Sequence, residues 1–150
     1  MSDTMDDQPI KKARWDYLVA LDEELLQGDV MMSEYAVELL RNADVCYVSG
    51  AFVAGIVMAA AAVETWLRGE LNPGGKKTFF DLIGQCGLSP AVIDEVHTLR
   101  KMRNGWVHVG DPSDDERLLE EFEKGHPKLE TECRAAMRIV RRVLYSCQGV

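Results

Sequence analysis

The sequence predicts an all-α fold, an antiparallel bundle of four to five helices, on three observations. Apolar residues recur at helical rather than alternating spacing in almost every segment. No run of four or more residues bounded by turn signals alternates as a half-buried strand would. Breakers at Gly28-Asp29, Ser49-Gly50, Asn72-Pro73-Gly74-Gly75 and Asp111-Pro112-Ser113-Asp114 cut the chain into pieces of helical length.

Taken in order, Met1 to Pro9 carries Asp3, Asp6 and Asp7 without a basic start or an apolar run, so residues 1–9 read as a flexible acidic tail and not as a signal peptide. Residues 10–150 read as a single helical domain. Its first helix runs from about Ile10 to Gln27, with Trp15, Leu18, Val19, Leu21, Leu25 and Leu26 as the apolar stripe. Ser33 is the expected N-cap of a second, reaching Tyr47, with Leu39, Leu40 and Ala43 on its buried side. The third, about Ala51 to Leu71, is apolar nearly all round until Glu64, as expected of a helix covered on several sides. Its alanines and Gly55 allow close approach, and Phe52, Ile56, Val63, Trp66 and Leu67 supply volume. A short helix follows around Phe79 to Gln85. Ser89-Pro90 pairs an N-cap with a proline at the first helical position and opens a helix to His108 or Val109. Residues 111–123 carry seven acidic side chains against one arginine, which reads as a solvated loop and short helix ended by Gly125. In the last helix, about Pro127 to Cys147, a seam of Leu129, Cys133, Ala136, Val140, Val143 and Cys147 faces the bundle, with Arg134, Arg138, Arg141 and Arg142 opposite.

Composition narrows the function. At 150 residues and 47% hydrophobic content, one core is affordable without disulfide or metal. Four cysteines with no C-x-x-C pair suggest reduced thiols and a cytoplasmic setting, with no zinc site. Val45 to Val63 is nineteen residues without a charge, but it is Ala- and Gly-rich, lies between Asp44 and Glu64 and contains a turn signal, so it reads as a core helix rather than a membrane span. A net charge of -8 opposes general nucleic-acid binding, since phosphate contacts supply most of that affinity. The positive charge gathers late, at Arg100, Lys101 and Arg103 and then at Arg134, Arg138, Arg141 and Arg142. No phosphate-binding glycine loop, nucleophile elbow or nicotinamide fingerprint is present, and no cofactor is implied.

Chemistry is concentrated in the helix of residues 90–109. Wound at 100° per residue, it carries Val92, Val96, Leu99, Trp106 and Val107 on one stripe, Arg103 in the middle of it, and Asn104, His108 and His97 along its polar edge. A permanent cation in an apolar setting requires a carboxylate, a phosphate or a second subunit. Glu64 is the best partner within the chain. His108 at a helix C-terminus serves equally as a dipole-favoured cap, His97 falls on an exposed edge, His126 reads as a loop residue, and the arginines of the last helix form either a solvated face or a track for an RNA backbone.

The run Arg103-Asn104-Gly105-Trp106-Val107-His108 resembles the arginine, polar residue and histidine signature of the HEPN superfamily. The stretch from Gly50 to Leu67, with Ala-Val-Glu at 62 to 64, resembles the long helix that precedes that signature, so the likeness covers about Ser33 to Tyr145. The resemblance implies a HEPN-like bundle and a metal-independent endoribonuclease in which two motifs meet across a homodimer. Arg103 would hold the phosphate as negative charge grows, an imidazole at His108 suits proton transfer near neutrality, and Asn104 would orient the substrate or His108. Arg100, Lys101 and the four late arginines are then candidate contacts to the RNA backbone. Such proteins act as toxins or defence effectors, restrained by a partner such as a nucleotidyltransferase-type antitoxin. Two other readings remain at this stage. One is a non-catalytic HEPN-like module that binds a nucleotide or a protein; the other is a helical interaction protein outside the family.

Overall fold

A computed structural model describes residues 7–113, 116–124 and 126–149. Residues 1–6 of the expected tail, Asp114 of the expected turn and the stop at Gly125 lie outside them. The described residues form α1 (Asp7–Leu25), β1 (Asp29–Val30), α2 (Glu34–Ser49), α3 (Phe52–Leu71), α4 (Phe79–Gln85), α5 (Pro90–Val107), α6 (Glu116–Glu123), α7 (Pro127–Leu144) and β2 (Gln148–Gly149). The fold is all-α apart from one small antiparallel pairing, Asp29 with Gly149 and Val30 with Gln148.

Local chemistry sets the helix limits. Ser33 Oγ accepts from Ala36 N at 3.2 Å and opens α2. Gly50, at φ 86°, closes it: its N–H donates to Tyr47 O, and the Ala51 N–H donates to Cys46 O at 2.8 Å. Only Gly50 and Ala51 separate α2 from α3, so the two helices fold back as a tight hairpin. The first helix starts earlier than the sequence suggests, taking Asp7, Gln8 and Pro9 out of the expected tail. Lys11 pairs with Asp7 one turn on, which supports that extra turn.

At the centre lies α3, against α2, α7, α5 and α4. By length and composition it could cross a membrane, and here it is the core helix. Phe52, Ile56, Val63 and Leu67 are buried in it, each burial contributing about 1.5–3 kcal/mol. Gly55 lets α7 approach: a Cβ there would stand 2.7 Å from Cys133 Sγ. In α1 the stripe is narrower than expected, because among the described residues the helix leans mainly on α2 and α7. Leu18 and Leu21 are buried, whereas Trp15, Val19 and Leu26 face solvent. Cys147 also leaves the expected seam, since α7 ends at Leu144.

The arginine face of α7 requires a correction. Arg141 is 1% exposed, because α1 and α2 pack on α7 beside the expected seam, where Met137, Arg141 and Leu144 make a second buried row. Its Nη1 and Nη2 donate to Asp44 Oδ1 and Oδ2 at 2.9 and 2.8 Å, and its Nε donates to Asp22 Oδ1 at 2.9 Å. The Tyr145 hydroxyl donates to the same Asp22 oxygen at 2.7 Å. Three helices thus share one guanidinium. Burial pushes the Asp44 carboxyl above its ordinary range, against the pull of the Arg141 hydrogen bonds.

Candidate functional site

Ser89 Oγ caps α5, accepting from Val92 N, and Pro90 fills the first turn. The helix runs to Val107 and stops at His108, whose backbone leaves the helical region at φ -125°, ψ 61° while its N–H still donates to Asn104 O at 2.9 Å. Val96 and Leu99 are buried and Val92 and Trp106 partly so. Val107, expected on the apolar stripe, is exposed at the fraying end.

Arg103 sits between α3, α4 and α5. Its Nε and Nη2 donate to Asn104 Oδ1 at 3.2 and 2.9 Å, and Nη1 lies 3.8 Å from Glu64 Oε1. The last distance is an electrostatic contact and too long for a hydrogen bond. The guanidinium also lies over Phe79, 5.3 Å from the ring centroid. With side chains 22% and 31% exposed, Arg103 and Glu64 are neither sealed in nor freely solvated. The expected pairing of Arg103 with Glu64 is therefore present, and it leaves the cation within reach of water.

Phe79 completes this cluster by a relay from α3. Arg68, one turn beyond Glu64, donates to Gly75 O at 3.2 Å and Lys77 O at 2.8 Å, and so holds the loop before α4. Thr78 Oγ1 then caps α4 by accepting from Asp81 N, which turns Phe79 inward, 3% exposed. Nothing in the motif points to Phe79. The available signal was the Thr78-Phe79-Phe80 run opening a short helix.

His108 stands outside that cluster, exposed at the end of α5. Asn104 spends its side-chain oxygen on Arg103, so that oxygen positions the cation rather than His108. Trp106 lines a separate cavity of about 340 Å³ with Leu118, Pro127 and Leu129, and a neighbouring one of about 300 Å³ with Phe52, Val53, Phe122 and His126. Neither of these two contains Arg103 or His108. His126 is the N-cap of α7 in the left-handed region, φ 61°, its ring 4.6 Å from that of Phe122.

The other cations divide into two sets. Arg134 lies over the Tyr17 ring, Arg138 pairs with Glu24 and Arg142 pairs with Glu95, so with Arg141 buried the four arginines of α7 are engaged by other side chains. For Arg141 the expected place on a solvated face or an RNA track is corrected accordingly, whereas Arg134 is exposed and Arg138 and Arg142 keep partly exposed side chains beside their partners. Arg100, by contrast, lies on the α4–α5 surface, Nε to His97 Nδ1 at 3.3 Å and guanidinium over Phe80, and Lys101 is exposed beside it. Among the described residues no group of three His, Cys, Asp or Glu side chains is gathered as a metal would need. Comparison with known proteins finds no matching family model, no similar curated protein and no similar solved structure.

Proposed function

We propose that this chain is a HEPN-like domain that acts as a homodimeric, metal-independent endoribonuclease on single-stranded RNA, in the manner of a toxin or defence effector. The observation that carries the reading is the partly exposed Arg103 guanidinium, fixed by Asn104 Oδ1 and Phe79 and only loosely matched by Glu64 at 3.8 Å. A guanidinium held in place yet without a close carboxylate can take two oxygens of a phosphate as a bidentate partner.

In the proposed reaction, the ribose 2′-oxygen attacks the adjacent phosphorus as His108 removes the hydroxyl proton. The bond to the 5′-oxygen breaks, that oxygen takes a proton from the second protomer's copy of His108, and a 2′,3′-cyclic phosphate remains. Arg103 stabilises the charge that grows on the phosphoryl oxygens. Because one His108 per chain cannot be base and acid at once, the homodimer is part of the proposal. A protein antitoxin of nucleotidyltransferase type is the proposed restraint, and the cytoplasm the proposed setting.

The observation favouring the alternative, a non-catalytic HEPN-like module for a nucleotide or protein, is that the net charge is -8, Arg141 is buried and Arg138 and Arg142 are paired with carboxylates. Incubating the protein with unstructured RNA in EDTA, beside Arg103→Ala and His108→Ala, decides between them. Cleavage leaving cyclic phosphate ends, reduced at least about 100-fold in both variants, is the expected result. Wild-type protein that leaves RNA intact as a verified dimer would establish the non-catalytic reading.

A further inference from the structure

The α4–α5 ridge carries an aromatic arrangement that the nuclease reading does not use. Phe79 and Phe80 are adjacent in α4, and once Thr78 has turned Phe79 into the core, the 100° step of the helix sends Phe80 outward. Phe80 is 59% exposed. Its ring is nonetheless braced: the Arg100 guanidinium lies 5.2 Å from its centroid, and the His97 ring lies at 5.5 Å and 45°. Arg100 and His97 are themselves joined, with Arg100 Nε donating to His97 Nδ1 at 3.3 Å.

We infer that Phe80, braced by His97 and Arg100, is a stacking platform for an unpaired RNA base, with Arg100 and Lys101 taking the flanking phosphates. A ring with a guanidinium over one face, a tilted imidazole beside it and more than half of its surface in water matches the general recipe for single-strand binding, in which bases stack on aromatic faces and cations follow the backbone. The neighbourhood supports a polyanion over an apolar peptide. Lys76 and Lys77 precede α4, Lys101 is exposed, and Arg103 follows Arg100 one turn further along α5 over Phe79, against Asp81, Asp94 and Glu95 as the acidic side chains of α4 and α5, with Glu95 already paired to Arg142. An apolar partner would have to strip water from that set of cations, and a phosphate would not. In an acidic chain, this ridge sets Arg100 and Lys101 beside an exposed aromatic ring.

The inference rests on RNA as the substrate, so its test separates binding from cleavage. The probe is a fluorescent, fully 2′-O-methylated single strand of about 12 nucleotides, a length within the usual span of such platforms. It cannot form the cyclic phosphate, and its binding to the full chain is read by anisotropy in EDTA at low salt. Phe80→Ala is expected to weaken binding about tenfold, the worth of one stacked base, and Phe80→Tyr to bind like wild type. His97→Ala is expected to weaken it by a smaller factor. Because the ring is mostly in water, thermal melting of Phe80→Ala should match wild type. The inference is overturned by Phe80→Ala binding as tightly as wild type, by wild type that fails to bind the strand, or by a Phe80→Ala that sediments as a monomer where wild type is a dimer, which would make the ring a subunit contact. Phe80-dependent binding of the probe together with uncut natural RNA would uphold the platform and reject the nuclease. Cutting of natural RNA that Arg103→Ala abolishes and Phe80→Ala leaves unchanged, with unaltered probe binding, would do the reverse.

Discussion

Replacing Arg141 by methionine tests the reading of the α1–α2–α7 junction. The side chain is buried and makes three charge-assisted hydrogen bonds at 2.8–2.9 Å, two of them a bidentate grip on Asp44. Methionine fills much of the volume and leaves Asp44 without a counter-charge. Breaking a buried pair from one side costs about 3–5 kcal/mol, which at about 2–4 °C per kcal/mol for a domain of this size lowers the melting temperature by roughly 6–20 °C. Asp22 suffers less, because it reaches solvent and keeps the Tyr145 hydroxyl. The deficit should also depend on pH. Burial already raises the Asp44 carboxyl, and loss of the guanidinium raises it further. A carboxyl raised in the folded state contributes stability that is fully present below its unfolded pKa and is lost as pH rises through the folded one. The variant should therefore lie closer to wild type at about pH 5 than at about pH 8. Adding Asp44→Leu should recover at least half of the loss, since an apolar pair can replace a buried ion pair at little cost. Urea denaturation of the four proteins at both pH values gives the cycle. A single-variant loss under about 1 kcal/mol, or a double variant no more stable than Arg141→Met, would refute the argument.

Two further outcomes follow from the packing of α3 on α7. Gly55→Ala should destabilise by about 1–3 kcal/mol in chemical denaturation, because the new Cβ meets Cys133 Sγ at 2.7 Å, and Cys133→Ala in the same chain should restore most of it. Burial pushes the Cys133 thiol up to about 12, so under native conditions at about pH 8 a disulfide reagent should label exposed Cys147 and leave Cys133 untouched until the protein is denatured; prompt labelling of Cys133 in the native protein would contradict the buried packing.

Much of the frame was legible because it is local. Ser33, Ser89-Pro90 and Gly50 announce their caps within a few residues, and the alanine-rich run of α3 marks a helix packed on several sides. The contact of Arg103 with Glu64 was also legible, because a cation on an apolar stripe has few carboxylates to choose from. The burial of Arg141 was not. Its neighbours Arg138 and Arg142 suggest a solvated face, while the partners that bury it, Asp22 and Asp44, lie far away in sequence. The trace that exists is the Met137, Arg141, Leu144 spacing, a second helical row visible only when α7 is allowed two covered sides. Phe79 and Phe80 escaped for a similar reason: the motif directs attention to α5, and the rings that brace its arginines come from another helix.

The two-residue link between α2 and α3 has a consequence during synthesis. A hairpin joined so closely forms from local contacts as soon as both helices leave the ribosome, yet the wall that α7 provides has not been made at that moment. A nascent chain paused there displays an apolar helix of membrane-spanning length. Until α7 follows, the face of α3 that it covers in the finished fold lacks that wall.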